Sequence, residues 1–290
     1  MRRIKSGTHH EPYWDLIKRI IIESDLVLEI LDSRLVELSR NEKVEELIKE
    51  IGRPVIFVIN KSDLVSKDSI KKQIQELGKN KDGKNKEVVF ISCKNPRTIK
   101  ILLYVIKKVF RKYGKREIIE KSKFDKKQKY REAKADIVVG VLGYPNVGKS
   151  SIINALCHRK KTKVSKKSGT THGLQWVRAT DEIKLIDSPG VIPLQRDDEI
   201  RYGLIGAKDT EALKNPELVA HAIIKLFLKK NQKQFERFYN IEIKKQDPEN
   251  IINQLGEKRR YLLKKGKIDE NRVMLQIVRD WQQGKLRLDY

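Results

Sequence analysis

The 290-residue chain alternates short apolar runs with longer stretches in which apolar positions recur every three or four residues. The first periodic stretch, EPYWDLIKRIIIES (11–24), sets Trp14, Ile17, Ile20 and Ile21 along one side of a helix. Three compact runs follow, rich in β-branched residues and bounded by charges or turn residues: DLVLEILD (25–32), RPVIFVIN (53–60) and EVVFIS (87–92). Each has the composition of a buried strand. Between them lie two amphipathic helical stretches, SRNEKVEELIKEI (39–51) and SKDSIKKQIQELG (66–78). A longer helix is predicted over 96–114, opened by Pro96 and closed by Gly114. Strands alternating with helices predict parallel βαβ units.

The pattern then changes. KREIIEKSKFDKKQKYREAKA (115–135) is dense in lysine and has few apolar anchors, as an exposed basic connector would. Strand patterning resumes in DIVVGVLG (136–143), LQWVRAT (174–180) and EIKLID (182–187). From about Lys208 the periodicity is helical throughout, and no internal repeat is present. The predicted organisation is an α/β domain over 1–207, with a first half 1–114, the connector 115–135 and a second half 136–207. A smaller all-α domain over 208–290 follows, with Phe227, Phe235, Phe238, Tyr239, Leu262 and Leu263 read as its core.

Charge adds the first functional constraint. A formal net charge of +25 and a pI near 9.9 surround a core drawn from 39% apolar residues, at a mean hydropathy of −0.58. Such a field draws in polyanions, nucleic acid above all. Cys93 and Cys157 stand far apart in unrelated contexts, which excludes a disulfide framework or a cysteine zinc site and fits a reducing compartment. The start has no apolar core of signal-peptide length and no run approaches ~18 apolar residues, so the expectation is a cytoplasmic protein without a membrane partner.

The chemistry is carried by short motifs at strand ends. GYPNVGKS, Gly143 to Ser150, matches G-x-x-x-x-G-K-[ST] between a strand and a helix. Its backbone amides would cradle phosphates, so that Asn146, Val147, Gly148, Lys149, Ser150 and Ser151 form the phosphate site. Lys149 would reach the terminal phosphates, and the Ser150 hydroxyl would sit on magnesium. NKSD, Asn60 to Asp63, ends the strongest strand. A carboxylate there accepts two hydrogen bonds from the N1–H and amine of guanine, a pattern adenine does not offer. Asn60 would tie the loops together and the Lys61 stem would cover the base. ISCK (91–94) puts the amides of Ser92, Cys93 and Lys94 near the guanine O6. LIDSPG (185–190) supplies D-x-x-G, with Asp187 toward magnesium and the Gly190 amide toward the γ-phosphate. In SGTTHG (168–173), Thr171 is the candidate switch ligand to magnesium.

These pieces make a GTP site, but base recognition precedes phosphate binding along the chain. That order resembles the circularly permuted ribosome-assembly GTPases of the YlqF/RbgA type, P-loop GTPases of the TRAFAC class related to nucleostemin. The resemblance extends to DLVLEILDSR, similar to the family's D-A-R signature with Ser33 in place of alanine, and to the tail GKIDENRVMLQIVRDWQQGKL (266–286). The proline that follows D-A-R in the family is absent from SRLVELSR (33–40), and neither His9 nor His10 aligns with the family's N-terminal histidine segment.

The resemblance implies a factor that binds GTP and GDP, hydrolyses GTP slowly and acts on ribosomal RNA and the large-subunit precursor, as a monomer away from the ribosome. Basic clusters in the helical domain, Lys258, Arg259, Arg260, Lys264, Lys265 and Lys267, are the candidate RNA contacts. Val191 stands where related GTPases carry a water-orienting glutamine, which predicts a slow intrinsic rate. Asn146 resembles the asparagine that coordinates potassium in cation-dependent relatives, giving Mg2+ and K+ as cofactors and Lys149, Thr171, Gly190 and Asn146 as catalytic candidates. His172 is read as a surface switch residue. A GTPase serving tRNA modification or translation, and an RNA-binding scaffold with negligible turnover, stay open.

Overall fold

The computed structural model describes residues 12–77, 87–115, 137–157, 175–187 and 198–288. Six strands form one sheet: β1 Leu26–Asp32, β2 Val55–Asn60, β3 Glu87–Phe90, β4 Ile137–Leu142, β5 Gln175–Arg178 and β6 Ile183–Asp187. Their spatial order is β3-β2-β1-β4-β6-β5, parallel throughout except for β5, which pairs antiparallel with β6. β1 and β4 are buried along their whole length, as expected of central parallel strands covered on both faces.

In the first half, α1 Pro12–Glu23, the single turn α2 Val36–Ser39, α3 Glu42–Ile51, α4 Lys67–Leu77 and α5 Pro96–Tyr113 flank the sheet. Asn41 caps α3 by accepting from the Val44 amide, and Gly52 closes it in a left-handed turn. α5 has Asn95 as its N-cap, proline in the first turn and Gly114 after its last residue. The second half adds α6 Lys149–Leu156 and α7 Glu199–Leu204.

The two halves meet at the β1–β4 pair, which is far apart in sequence and central in space. The seam is stapled at its lower end by Asp25: its amide donates to Val138 O at 2.8 Å, and its carboxylate accepts from the Val138 amide at 2.7 Å. Parallel strands are joined only through long crossovers, so the β1–β4 pairing itself does not fix where along the chain that crossover is made. The basic connector that would make the connection lies outside the described residues, apart from Lys115.

The helical region comprises α8 Pro216–Lys230, α9 Gln232–Tyr239, α10 Pro248–Arg259 and α11 Glu270–Gln282. A second core, centred on Phe227, Phe235, Ile277 and Trp281, is distinct from the one around the sheet. The aromatics pack edge-on or tilted, with Phe227 and Trp281 at 89° and 5.9 Å. Phe227, Phe235 and Tyr239 are buried there and Phe238 packs against them. Leu262 and Leu263 are not core: both are about half exposed. They belong to a small turn closed by the Leu262–Ile268 bridge, outside the bundle, where helical periodicity no longer applies. Among the described residues no helix is long and apolar enough to cross a membrane.

Candidate nucleotide site

β4 runs into the phosphate loop, and α6 begins at Lys149. Gly148 has φ +102°, and a Cβ there would lie 2.1 Å from Asn60 Nδ2. Only glycine satisfies both the backbone and the space. The reason for the tightness is functional: Asn60 Nδ2 donates to Val147 O at 2.8 Å, fastening the end of β2 to the phosphate loop. Asn60 Oδ1 in turn accepts from Cys93 Sγ at 3.8 Å, so NKSD, ISCK and the phosphate loop share one side chain.

Lys149 is buried and its Nζ donates to Gly143 O and Tyr144 O, both at 2.8 Å. Burial pulls its pKa down, and the nearby Asp187 carboxylate opposes that. Asp187, the last residue of β6, is buried and its pKa is pushed up by that burial, against the pull of Lys149. Among the described residues neither of its carboxylate oxygens has a hydrogen-bond partner. A buried carboxylate of this kind calls for a cation or its hydration shell. With the hydroxyl-bearing Ser150 and Ser151 on the first turn of α6, the donors are hard oxygens, which fits Mg2+. No cluster of three His, Cys, Asp or Glu suited to another metal occurs among the described residues.

On the base side, Lys61 (φ +60°) turns the chain into the short helix Ser62–Leu64 that carries Asp63. Asp63 accepts from Ser92 Oγ at 2.9 Å and from Lys94 Nζ at 2.7 Å. Burial alone would raise its pKa, but these hydrogen bonds outweigh it and keep the carboxylate ionised. The Ser92 amide is spent on Thr98 Oγ1 and the Lys94 amide on Ser92 Oγ. That leaves Cys93 as the better amide of the three for a base oxygen. Burial pushes the Cys93 thiol up to about 11, so it acts as a thiol rather than a thiolate.

Lys61 Nζ donates to Asp32 Oδ2 at 2.8 Å, and Asp32 is chelated by Arg34 through Nε at 3.0 Å and Nη2 at 2.8 Å. Burial opposes the Asp32 charge, yet Arg34 and Lys61 outweigh it and hold the carboxyl well below the usual range. Burial pushes the Lys61 ammonium down, and Asp32 resists this. Motif reading found Lys61 but assigned Asp32 and Arg34 no role; the D-S-R spelling was the available signal.

Asn146 (φ +59°) spends its Nδ2 on Gly206 O at 2.8 Å and Asp209 Oδ1 at 2.9 Å. The geometry therefore brings Asn60, Lys61, Asp63, Ser92, Cys93 and Lys94 from one half beside Asn146, Val147, Gly148, Lys149, Ser150, Ser151 and Asp187 from the other. Thr171, His172, Gly190 and Val191 lie outside the described residues. Lys258, Arg259, Arg260, Lys264, Lys265 and Lys267 are all exposed, at the end of α10 and in the turn after it, on the helical region rather than at this site.

A family model described as a 50S ribosome-binding GTPase matches residues 138–261. A GTP-binding protein of Methanocaldococcus jannaschii is 35% identical over 275 residues, 95% of this chain and 66% of that protein. The order of motifs, base recognition on β2 before the phosphate loop after β4, decides among GTPase families. The chain belongs to the YlqF-type, circularly permuted GTPases. Nucleolar GTP-binding protein 2 of Pneumocystis carinii is 31% identical over 94% of this chain and 52% of its own length. Ribosome biogenesis GTPase A of Bacillus licheniformis is 27% identical over 88% of this chain and 86% of its own length. The crystal structure of GNP-bound YlqF from T. maritima shares the fold at TM-score 0.59 and 22% identity, covering 94% of each chain. The chain spans about half to two thirds of the length of the first two of these relatives.

Proposed function

We propose that this GTPase is an assembly factor for the large ribosomal subunit: it holds GTP with Mg2+, docks on ribosomal RNA of the precursor and leaves when GTP is hydrolysed. The observation that carries this reading is the Asn60–Val147 bond, which joins a guanine-type loop to a phosphate loop in one site. A guanine base would exchange places with Lys94 and Ser92 on Asp63, with its O6 toward the Cys93 amide. Lys149 would trade two backbone carbonyls for phosphate oxygens, a charge-assisted exchange that releases buried acceptors already within its reach. Asp187, Ser150 and Thr171 would hold Mg2+, which when bound neutralises charge between the β- and γ-phosphates.

Hydrolysis is slow in this reading because Val191 has no hydrogen-bonding group to orient water. The Gly190 amide and Thr171 would complete the site around GTP. Asn146, its Nδ2 already fixed by Gly206 and Asp209, would hold a potassium ion that offsets charge on the phosphates. RNA docking rests on Lys258, Arg259, Arg260, Lys264, Lys265 and Lys267, exposed cations on a chain of net charge +25. The name of the Bacillus licheniformis relative supports the assembly role.

The direct test is co-sedimentation with purified large and small subunits, loaded with a non-hydrolysable GTP analogue or with GDP. The analogue-bound protein travels with large subunits and the GDP form does not. Equal recovery in both states, or preference for small subunits, contradicts the proposal.

A further inference from the structure

The dipeptide Trp281–Gln282, at the end of α11, touches both halves of the nucleotide site through short chains of hydrogen bonds. On one arm, the Trp281 carbonyl accepts from Arg34 Nη1, and the Arg34 guanidinium lies over the Trp281 ring at 4.3 Å. Arg34 is 3% exposed and chelates Asp32, and Asp32 holds Lys61 Nζ. Ser33, the residue between them, donates from Oγ to the Lys61 carbonyl at 2.7 Å, so the D-S-R turn grips both the backbone and the side chain of the base-covering lysine.

On the other arm, Gln282 Nε2 donates to Gly203 O at 3.0 Å and Lys208 O at 2.9 Å, while its Oε1 accepts from Thr210 Oγ1 at 3.0 Å. Those bonds fix the turn that carries Gly206 and Asp209, the two acceptors of Asn146 in the phosphate loop. Trp281 Nε1 donates to Leu204 O at 2.7 Å in the same segment. A third contact lies beyond α11: Gly284 packs against Leu64, and Leu288 bridges to Val65, directly after NKSD.

We propose that Trp281 and Gln282 are positioning residues for the nucleotide, through which the helical domain sets the geometry of the guanine loop and the phosphate loop together and so controls nucleotide release. The assignment rests on the GTP reading proposed above and extends it. Two halves that a permuted chain joins by a single connector gain a common clamp from the helical domain. Coupling of this kind is reciprocal, so the nucleotide changes the affinity of the helical domain for its polyanionic ligand by the same factor as that ligand changes nucleotide affinity.

The test is the GDP dissociation rate of the full chain, read by displacement of a fluorescent GDP analogue. Arg34→Lys keeps the charge beside Asp32 but loses the planar fork that reaches Trp281. It speeds release about tenfold, the effect of losing one charge-assisted hydrogen bond. Lys61→Met has a similar effect, and the double variant is no faster than the faster single variant within about threefold, because Arg34 acts through Lys61. Gln282→Leu, on a half-buried side chain, also speeds release and is likewise non-multiplicative with Asn146→Ala; it carries the test if Arg34→Lys does not fold. Wild-type release rates in both Arg34→Lys and Gln282→Leu, or effects of Arg34→Lys and Lys61→Met that multiply, overturn the inference. Failure of the wild-type chain to bind GDP overturns the GTP reading itself, and the inference with it.

Discussion

Gly148→Ala tests how the two halves of the site are fastened. Alanine at φ +102° costs about 1–2 kcal/mol in the backbone. Its Cβ would also stand 2.1 Å from Asn60 Nδ2, so the amide must swing away and abandon Val147 O. Losing a buried hydrogen bond and stranding its acceptor costs about 1–3 kcal/mol more. The total is about 2–5 kcal/mol. Asn60→Ala loses the bond without the strain, for about 1–3 kcal/mol. In the double variant the clash has nothing to strike and the bond is already gone. Its cost therefore equals that of Gly148→Ala within about 0.5 kcal/mol, well short of the sum. Urea unfolding of the four proteins measures the cycle. Strict additivity would refute the claim that Gly148 is required by the Asn60 tie.

Asp63→Asn shifts nucleotide preference from guanine toward xanthine, measured by competition binding; unchanged selectivity removes Asp63 from base recognition. Asp32→Asn leaves the buried Arg34 guanidinium without its carboxylate partner and costs about 3–5 kcal/mol at neutral pH. Because the folded Asp32 titrates below the ordinary carboxylate value of about 4, its stabilisation is complete above that pH and is lost as pH falls further, the unfolded chain taking up the proton first. The variant accordingly shows a shallower acid-side decline in stability, and identical pH profiles would sink this account. Replacing Lys258, Arg259 and Arg260 by Glu weakens RNA binding and lowers the slope of log K against log salt by about 0.7–0.9 per lost phosphate contact; an unchanged slope excludes that segment from the interface.

The parallel sheet and both nucleotide loops were legible because their signals are local. β-branched runs identify buried strands, and G-x-x-x-x-G-K-S and N-K-S-D each gather their chemistry within a few residues. Even the rejoining of the halves could be read, since motif order alone reveals it. The Arg34–Trp281 contact could not, because it joins residues 247 apart: one lies in the D-S-R stretch and the other in the C-terminal tail, and nothing local pairs the two. The sequence suggests Asn146 as a cation ligand, and the structure adds what sequence does not carry, that Gly206 and Asp209 hold its amide nitrogen. Leu262 and Leu263 look like core in the sequence because they form an apolar pair beside a helix, but the chain turns away at Arg260, whose φ is +53°, and leaves both half exposed. The antiparallel pairing of β5 with β6 follows from their four-residue connection, 179–182, which is too short for a parallel crossover.

The account stands most directly on GTP turnover, measured in potassium and in sodium buffer, with and without purified large ribosomal subunits. It predicts a low basal rate raised by potassium and raised again by the subunits. Tight GTP binding with a near-zero rate that neither addition changes would contradict it, and would favour a scaffold that holds nucleotide without turning it over.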